Sequence, residues 1–107
     1  MVSIHSSVMS AYVIADVTIT DAQRYPDYVA LVPATLEPFG GRFIARGGAV
    51  EAAEGDWLPQ RLVIIEFPSL ERAKAWYDSP EYRPARELRW KYSTGRILFV
   101  DGVGAPA

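Results

Sequence analysis

The sequence predicts one α+β domain, an antiparallel sheet with helices on one face. Three observations predict it. Residues 61–67, RLVIIEF, form a short apolar run rich in β-branched residues, which favours a strand buried on both faces. That run stops at Pro68-Ser69 and a helical pattern follows, then Ser79-Pro80-Glu81 repeats the helix-start signal. Upstream, a strand-like alternation passes into a helix-like period and back into a short apolar run.

Each element follows from local chemistry. In AYVIADVTI, residues 11–19, side chains alternate: Tyr12, Ile14, Asp16 and Thr18 share one face, and Ala11, Val13, Ala15, Val17 and Ile19 the other. Thr20-Asp21 reads as turn and cap. Tyr25, Tyr28, Val29, Val32, Leu36 and Phe39 then recur at helical spacing. Pro33 and Pro38 each remove an intrahelical bond, so a kink near Val32 and fraying after Thr35 are expected. Gly40-Gly41 ends the helix, and RFIAR, residues 42–46, is the second strand. Gly47-Gly48 reads as a bend or bulge, with residues 49–54 continuing the strand beyond it. In the central run, Leu62, Ile64 and Glu66 oppose Val63, Ile65 and Phe67. Pro68 ends its pairing and Ser69 caps a helix with Leu70, Ala73, Trp76 and Tyr77 on one face. Residues 80–92 read as a second helix, disturbed at Pro84 and broken by Ser93-Thr94-Gly95. RILFVD, residues 96–101, is the last strand. The order is the ferredoxin-like βαββαβ pattern.

That topology leaves a problem. If Val13, Ala15, Val17, Val63, Ile65 and Phe67 face the helices, then Tyr12, Ile14, Leu62 and Ile64, with Ile44 beside them, face outward. Leaving such residues wet forfeits about 1.5–3 kcal/mol per large side chain. A second copy packed sheet to sheet, a homodimer, is the simplest remedy.

Composition narrows the partners. The chain has 107 residues, half of them hydrophobic, which suits one domain over 11–103 with tails at 1–10 and 104–107. A formal charge of -2 argues against nucleic acid. There is no cysteine, so disulfides and thiol chemistry are excluded, and a reducing cytoplasm is compatible. No apolar run is long enough to span a membrane as a helix. The Ser-rich start makes a poor signal peptide. The one histidine, His5, lies in the tail, which argues against a haem ligand, a histidine metal site or a Ser-His-Asp triad. No cofactor and no metal are expected.

The strings AYVIADVTITD, GGRFIARGG, EGDW and VIIEFPSLERAKAWYDSPEY resemble a small bacterial family called domain of unknown function 1330. The resemblance covers about residues 11–103. It implies a dimeric α/β barrel, in which two ferredoxin-like sheets pack face to face. That superfamily holds cofactor-independent monooxygenases, haem enzymes and an isomerase, so the resemblance implies a fold and leaves the reaction open. Pro84 and Trp90 depart from the usual family pattern.

Candidate residues fall into three groups. Asp16 and Glu66 are acids inside apolar strands, aimed at the outer face. Desolvated, either would have a raised pKa and suit proton transfer; at strand ends, either would pair with Arg42 or Arg46. Tyr12, Trp76, Tyr77 and Tyr82 would line a pocket for a flat ligand or simply pack the core. Arg83, Arg86, Arg89 and Lys91, interleaved with Glu81 and Glu87, read as a solvated helical face more than an anion site. The preferred reading is a dimer that binds a small organic ligand, either between sheet and helices or between the sheets. The alternatives are a structural module and a cofactor-independent oxygenase or isomerase. In the enzyme, Asp16 or Glu66 is the base, and Arg46 or Tyr12 steadies an enolate-like anion.

Overall fold

The computed structural model describes residues 10–103. The expected tails and His5 lie outside the described residues, apart from Ser10, whose carbonyl accepts from the Gly102 amide at 2.8 Å. In chain order the elements are β1 (Ala11–Ile19), α1 (Tyr25–Leu36), a 3-10 turn (Glu37–Phe39), β2 (Arg42–Arg46), β3 (Arg61–Phe67), α2 (Leu70–Tyr77), α3 (Arg83–Tyr92) and β4 (Ser93–Asp101). One antiparallel sheet has the order β2-β3-β1-β4. This is βαββαβ with the second helical connection split in two.

Alternation holds in the central strands. Ala11, Val13, Ala15 and Val17 are buried under the helices with Val63, Ile65 and Phe67. On the other face Ile14 sits opposite Ile64 on one side and Leu98 on the other, all of them part-exposed or exposed. Val100 extends this apolar face along β4. The helices close the inner face around Trp76, whose ring centroid is 5.4 Å from Phe67 and 4.0 Å from Tyr82. The Trp76 indole N–H donates to Thr35 Oγ1 at 3.0 Å, and Thr35 donates in turn to the Val32 carbonyl at 2.7 Å. These two buried polar side chains are thereby satisfied without charge.

The expected caps form. Asp21 accepts from the Gln23 and Arg24 amides before α1, and Ser69 Oγ accepts from the Arg72 amide. Ser79 does not start a helix directly. Its hydroxyl donates to the Trp76 carbonyl and accepts from the Tyr82 amide, tightening a turn, and α3 begins only at Arg83. Pro84 then falls within the first turn of α3, where its missing N–H would have had no helical partner anyway.

Three expectations about element ends meet the structure in different ways. Helix α1 keeps Pro33 inside it and gives way to the 3-10 turn after Leu36, one residue past Thr35. Pro33 cannot donate to the carbonyl four residues back, that of Val29, and Arg46 Nη2 donates to it instead at 2.9 Å. The sheet carries its register irregularity at Ile44, and the chain bends at Gly47 as read, but the strand stops at Arg46 instead of continuing through 49–54. Gly47, with φ +73°, turns the chain there. Finally, α3 ends at Tyr92 where Ser93-Thr94-Gly95 was read to break it, but β4 starts at Ser93 and not at Arg96. Gly95 lies against β1, where a Cβ would meet the Asp16 carbonyl oxygen at 2.5 Å. A missing side chain thus permits strand contact where sequence suggested a break.

Candidate functional site

Between the sheet and the helices lies a cavity of about 30 Å³. Val13, Ala15 and Val63 form its floor, and Tyr25, Tyr28, Trp76 and Tyr82 stand around it. Three arginines reach it, Arg46, Arg61 and Arg89, and no aspartate or glutamate lines it among the described residues.

Arg89 is the unusual member, being only 4% exposed. The helical phase of α3 puts it there: Tyr82, Ala85, Arg89 and Tyr92 fall on one buried stripe. Its Nε donates to the Tyr82 hydroxyl at 3.3 Å, and that hydroxyl lies 2.9 Å from the Tyr28 hydroxyl. Arg89 Nη2 is buried and has no hydrogen-bond partner among the described residues. Burial, and then the neighbouring Tyr82, push the Tyr28 phenol well above its ordinary value. Burial also raises Tyr25. Both therefore remain neutral phenols, able to donate, beside a guanidinium that stays charged.

The other two arginines are differently engaged. Arg61 lies 5.5 Å from the Tyr25 ring centroid, with its buried Nε unpartnered among the described residues. Arg46 sits 4.1 Å over the Phe43 ring and holds the Val29 carbonyl. The irregularity at Ile44 puts Phe43 opposite Ile65 and Arg46 opposite Val63, so both lie on the helix side. Simple alternation would have turned Arg46 outward with Arg42.

The sequence candidates therefore separate into two groups. Arg46, Trp76, Tyr77 and Tyr82 meet in the cavity. Tyr12, Asp16, Arg42 and Glu66 lie across the sheet from it. There Arg42 Nε donates to Glu66 Oε1 at 2.6 Å, and the Tyr12 hydroxyl lies 3.5 Å from Glu66 Oε2. The Arg42 hydrogen bond lowers the Glu66 pKa, opposite to the shift a general base would need. Asp16 does not meet Arg42 or Arg46, because β1 and β2 are not neighbours in the sheet. It pairs with Arg96 of β4 at 3.3 Å and accepts from the Trp57 indole at 3.0 Å.

The arginine run also divides. Arg83 and Lys91 are exposed as expected, but Arg89 is in the core. Arg86 is half-buried: its Nη1 donates to the Tyr77 carbonyl at 3.0 Å, closing the end of α2. Tyr28 was not singled out as a site residue by the sequence, and Arg89, weighed there as part of an anion site or a solvated face, is on neither an exposed face nor a surface patch. Among the described residues, no three histidine, aspartate or glutamate side chains gather as metal ligands.

This sheet order, with its split second connection, can be set against known proteins. The family model described as Domain of unknown function (DUF1330) matches residues 10–103. The chain belongs to that family. No curated protein matches it. Among solved structures it is similar to RPA0582, a protein of unknown function from Rhodopseudomonas palustris. The identity is 18% and the TM-score 0.70, over 92% of this chain and 85% of that one. Methylated RPA0582 gives the same TM-score at 16% identity, over 92% and 84% of the two chains. SnoaB, a cofactor-independent oxygenase from Streptomyces nogalater, is similar at 11% identity and TM-score 0.63, over 92% of this chain and 97% of that one. At such identities these likenesses speak for a shared ferredoxin-like fold.

Proposed function

We infer that this DUF1330 protein binds a small organic ligand in the cavity between sheet and helices, as a homodimer joined sheet to sheet. The observation that carries the reading is the cavity itself: an apolar floor, a ring of aromatics, and a buried arginine with an unpartnered nitrogen. Ligand sites have this composition, mostly apolar with a few convergent polar groups. The dimer is supported by the outer sheet face, where Ile14, Ile64 and Leu98 form one apolar row across three strands. An NMR titration with small aromatic and aliphatic compounds tests the site. Shifts at Tyr28, Trp76 and Tyr82 are expected, and binding confined to Ile64 and Leu98 would overturn it.

A second reading, cofactor-independent oxygenation, draws on the donor-rich cavity and on the fold shared with SnoaB. Donors of this kind stabilise a developing oxyanion. Asp16 and Glu66 cannot serve as the base for a ligand held there, because the sheet stands between. The substrate would have to arrive already ionised. Oxygen uptake with an electron-rich phenol or enol, abolished in Arg89→Met, would favour this reading over simple binding.

A further inference from the structure

We propose that the ligand of this cavity is a small carboxylate, held by Arg89 Nη2 and one tyrosine hydroxyl. This rests on the reading of the cavity as a ligand site and adds the chemical class. Proton counting supplies the first argument. Arg89 can only donate, so its Nε–H occupies the Tyr82 oxygen. Tyr28 and Tyr82 have two phenolic protons between them, and their mutual bond uses one. Whichever tyrosine donates in that bond, one phenolic proton is left for a ligand. Arg89 Nη2 and Arg61 Nε add further unused donors. The cavity therefore offers hydrogen-bond donors to its ligand, and what fits is a group that only accepts.

Charge supplies the second argument. An isolated buried cation is costly unless an anion joins it. Arg46 is engaged by the Val29 carbonyl and the Phe43 ring, and Arg61 lies against Tyr25. Arg89 has a phenol for its hydrogen-bond partner and no acid beside it among the described residues, which calls for one negative charge. Size supplies the third. A water needs roughly 10–15 Å³ in this measure, so 30 Å³ accommodates about a carboxylate head. The rest of the ligand would follow the apolar wall toward half-buried Val29 and Phe43.

The test compares acids with their uncharged amides of the same shape: acetate with acetamide, and benzoate with benzamide. Calorimetry on the full chain should give roughly ten- to hundredfold tighter binding for the acid, the span of a hydrogen bond to a charged group. Arg89→Met should erase that preference, and the double variant Tyr28→Phe with Tyr82→Phe, which removes the spare phenolic proton of the pair, should reduce it. Equal binding of acid and amide would overturn the carboxylate assignment and leave the ligand site standing. Binding of neither would remove both. An acid preference unchanged in both variants would place the anion elsewhere and overturn the proposal. Should Arg89→Met not fold, the wild-type comparison together with the double tyrosine variant decides.

Discussion

On the helix side of the sheet, Arg89 is 4% exposed and its side chain bonds a tyrosine, with no acid lining its cavity among the described residues. On the far side, Glu66 and Asp16 each meet an arginine whose side chain is 71% and 80% exposed, respectively. Both faces carry charged groups among apolar residues, but they treat them in opposite ways. The outer acids are paired at partly wet positions, where an ion pair contributes about 0.2–1 kcal/mol. The inner cation is buried and has no acid beside it among the described residues. A charge in the first setting has its counter-ion supplied by the fold. A charge in the second is costly to the fold, which makes it the better pointer to a ligand.

Four substitutions would break or sharpen this contrast. The largest effect is expected on the inner face, where Trp76 is packed against Phe67 and Tyr82 and bonded to Thr35. Trp76→Ala should cost about 3–5 kcal/mol in denaturant unfolding, through the cavity it leaves. Next, Ile64→Asp places an unpaired charge on the outer apolar row. Light scattering at micromolar concentration should show wild type with the mass of two chains and the variant with the mass of one. A monomeric wild type would remove the dimer.

Arg46→Met should have a smaller effect, about 1 kcal/mol, because the Val29 carbonyl freed by Pro33 loses its donor. The arginine lies near the surface, and water can replace part of that bond. The contribution should vanish if Pro33 is also replaced by alanine, since the helix then supplies its own N–H.

The smallest effect belongs to Glu66→Gln, within about 1 kcal/mol at neutral pH. Its pH dependence has a definite sign. The folded-state pKa is lowered, so the contribution of Glu66 is present above its ordinary value near 4.5 and is lost as the pH falls through the lower folded value. An acid-unfolding series should show that part of the loss in wild type and not in Glu66→Gln.

The same contrast explains what could be read from the sequence. Strand alternation fixed both faces of β1 and β3, because a period of two leaves no freedom once one face is buried. The caps at Asp21 and Ser69 followed from side chains that bond their own neighbouring backbone. Gly95 misled, because the absence of a side chain there serves close strand contact as well as a turn. Arg46 misled, because one irregularity at Ile44 reverses the direction of the residues after it. Arg89 was legible in principle. It stands in phase with Tyr82, Ala85 and Tyr92, on the buried stripe of α3. Its neighbours Arg86 and Lys91 gave the run the look of a solvated face, and helical phase was the signal that composition concealed. The pairing expected of Asp16, with Arg42 or Arg46, failed for a different reason: pairing depends on which strands are neighbours, and the order β2-β3-β1-β4 is a tertiary fact.

One measurement bears most directly on the claim that Arg89 is kept for a ligand and not for the fold. It is the unfolding free energy of Arg89→Met against wild type, both without added ligand. Replacing a buried, acid-free cation by an apolar side chain of similar length should leave stability unchanged or raise it, by up to about 1–4 kcal/mol. The Tyr28–Tyr82 bond can persist without the arginine. A loss of about 3–5 kcal/mol, the size seen when one member of a buried pair is removed, would contradict the account. The guanidinium would then be a structural member of the core.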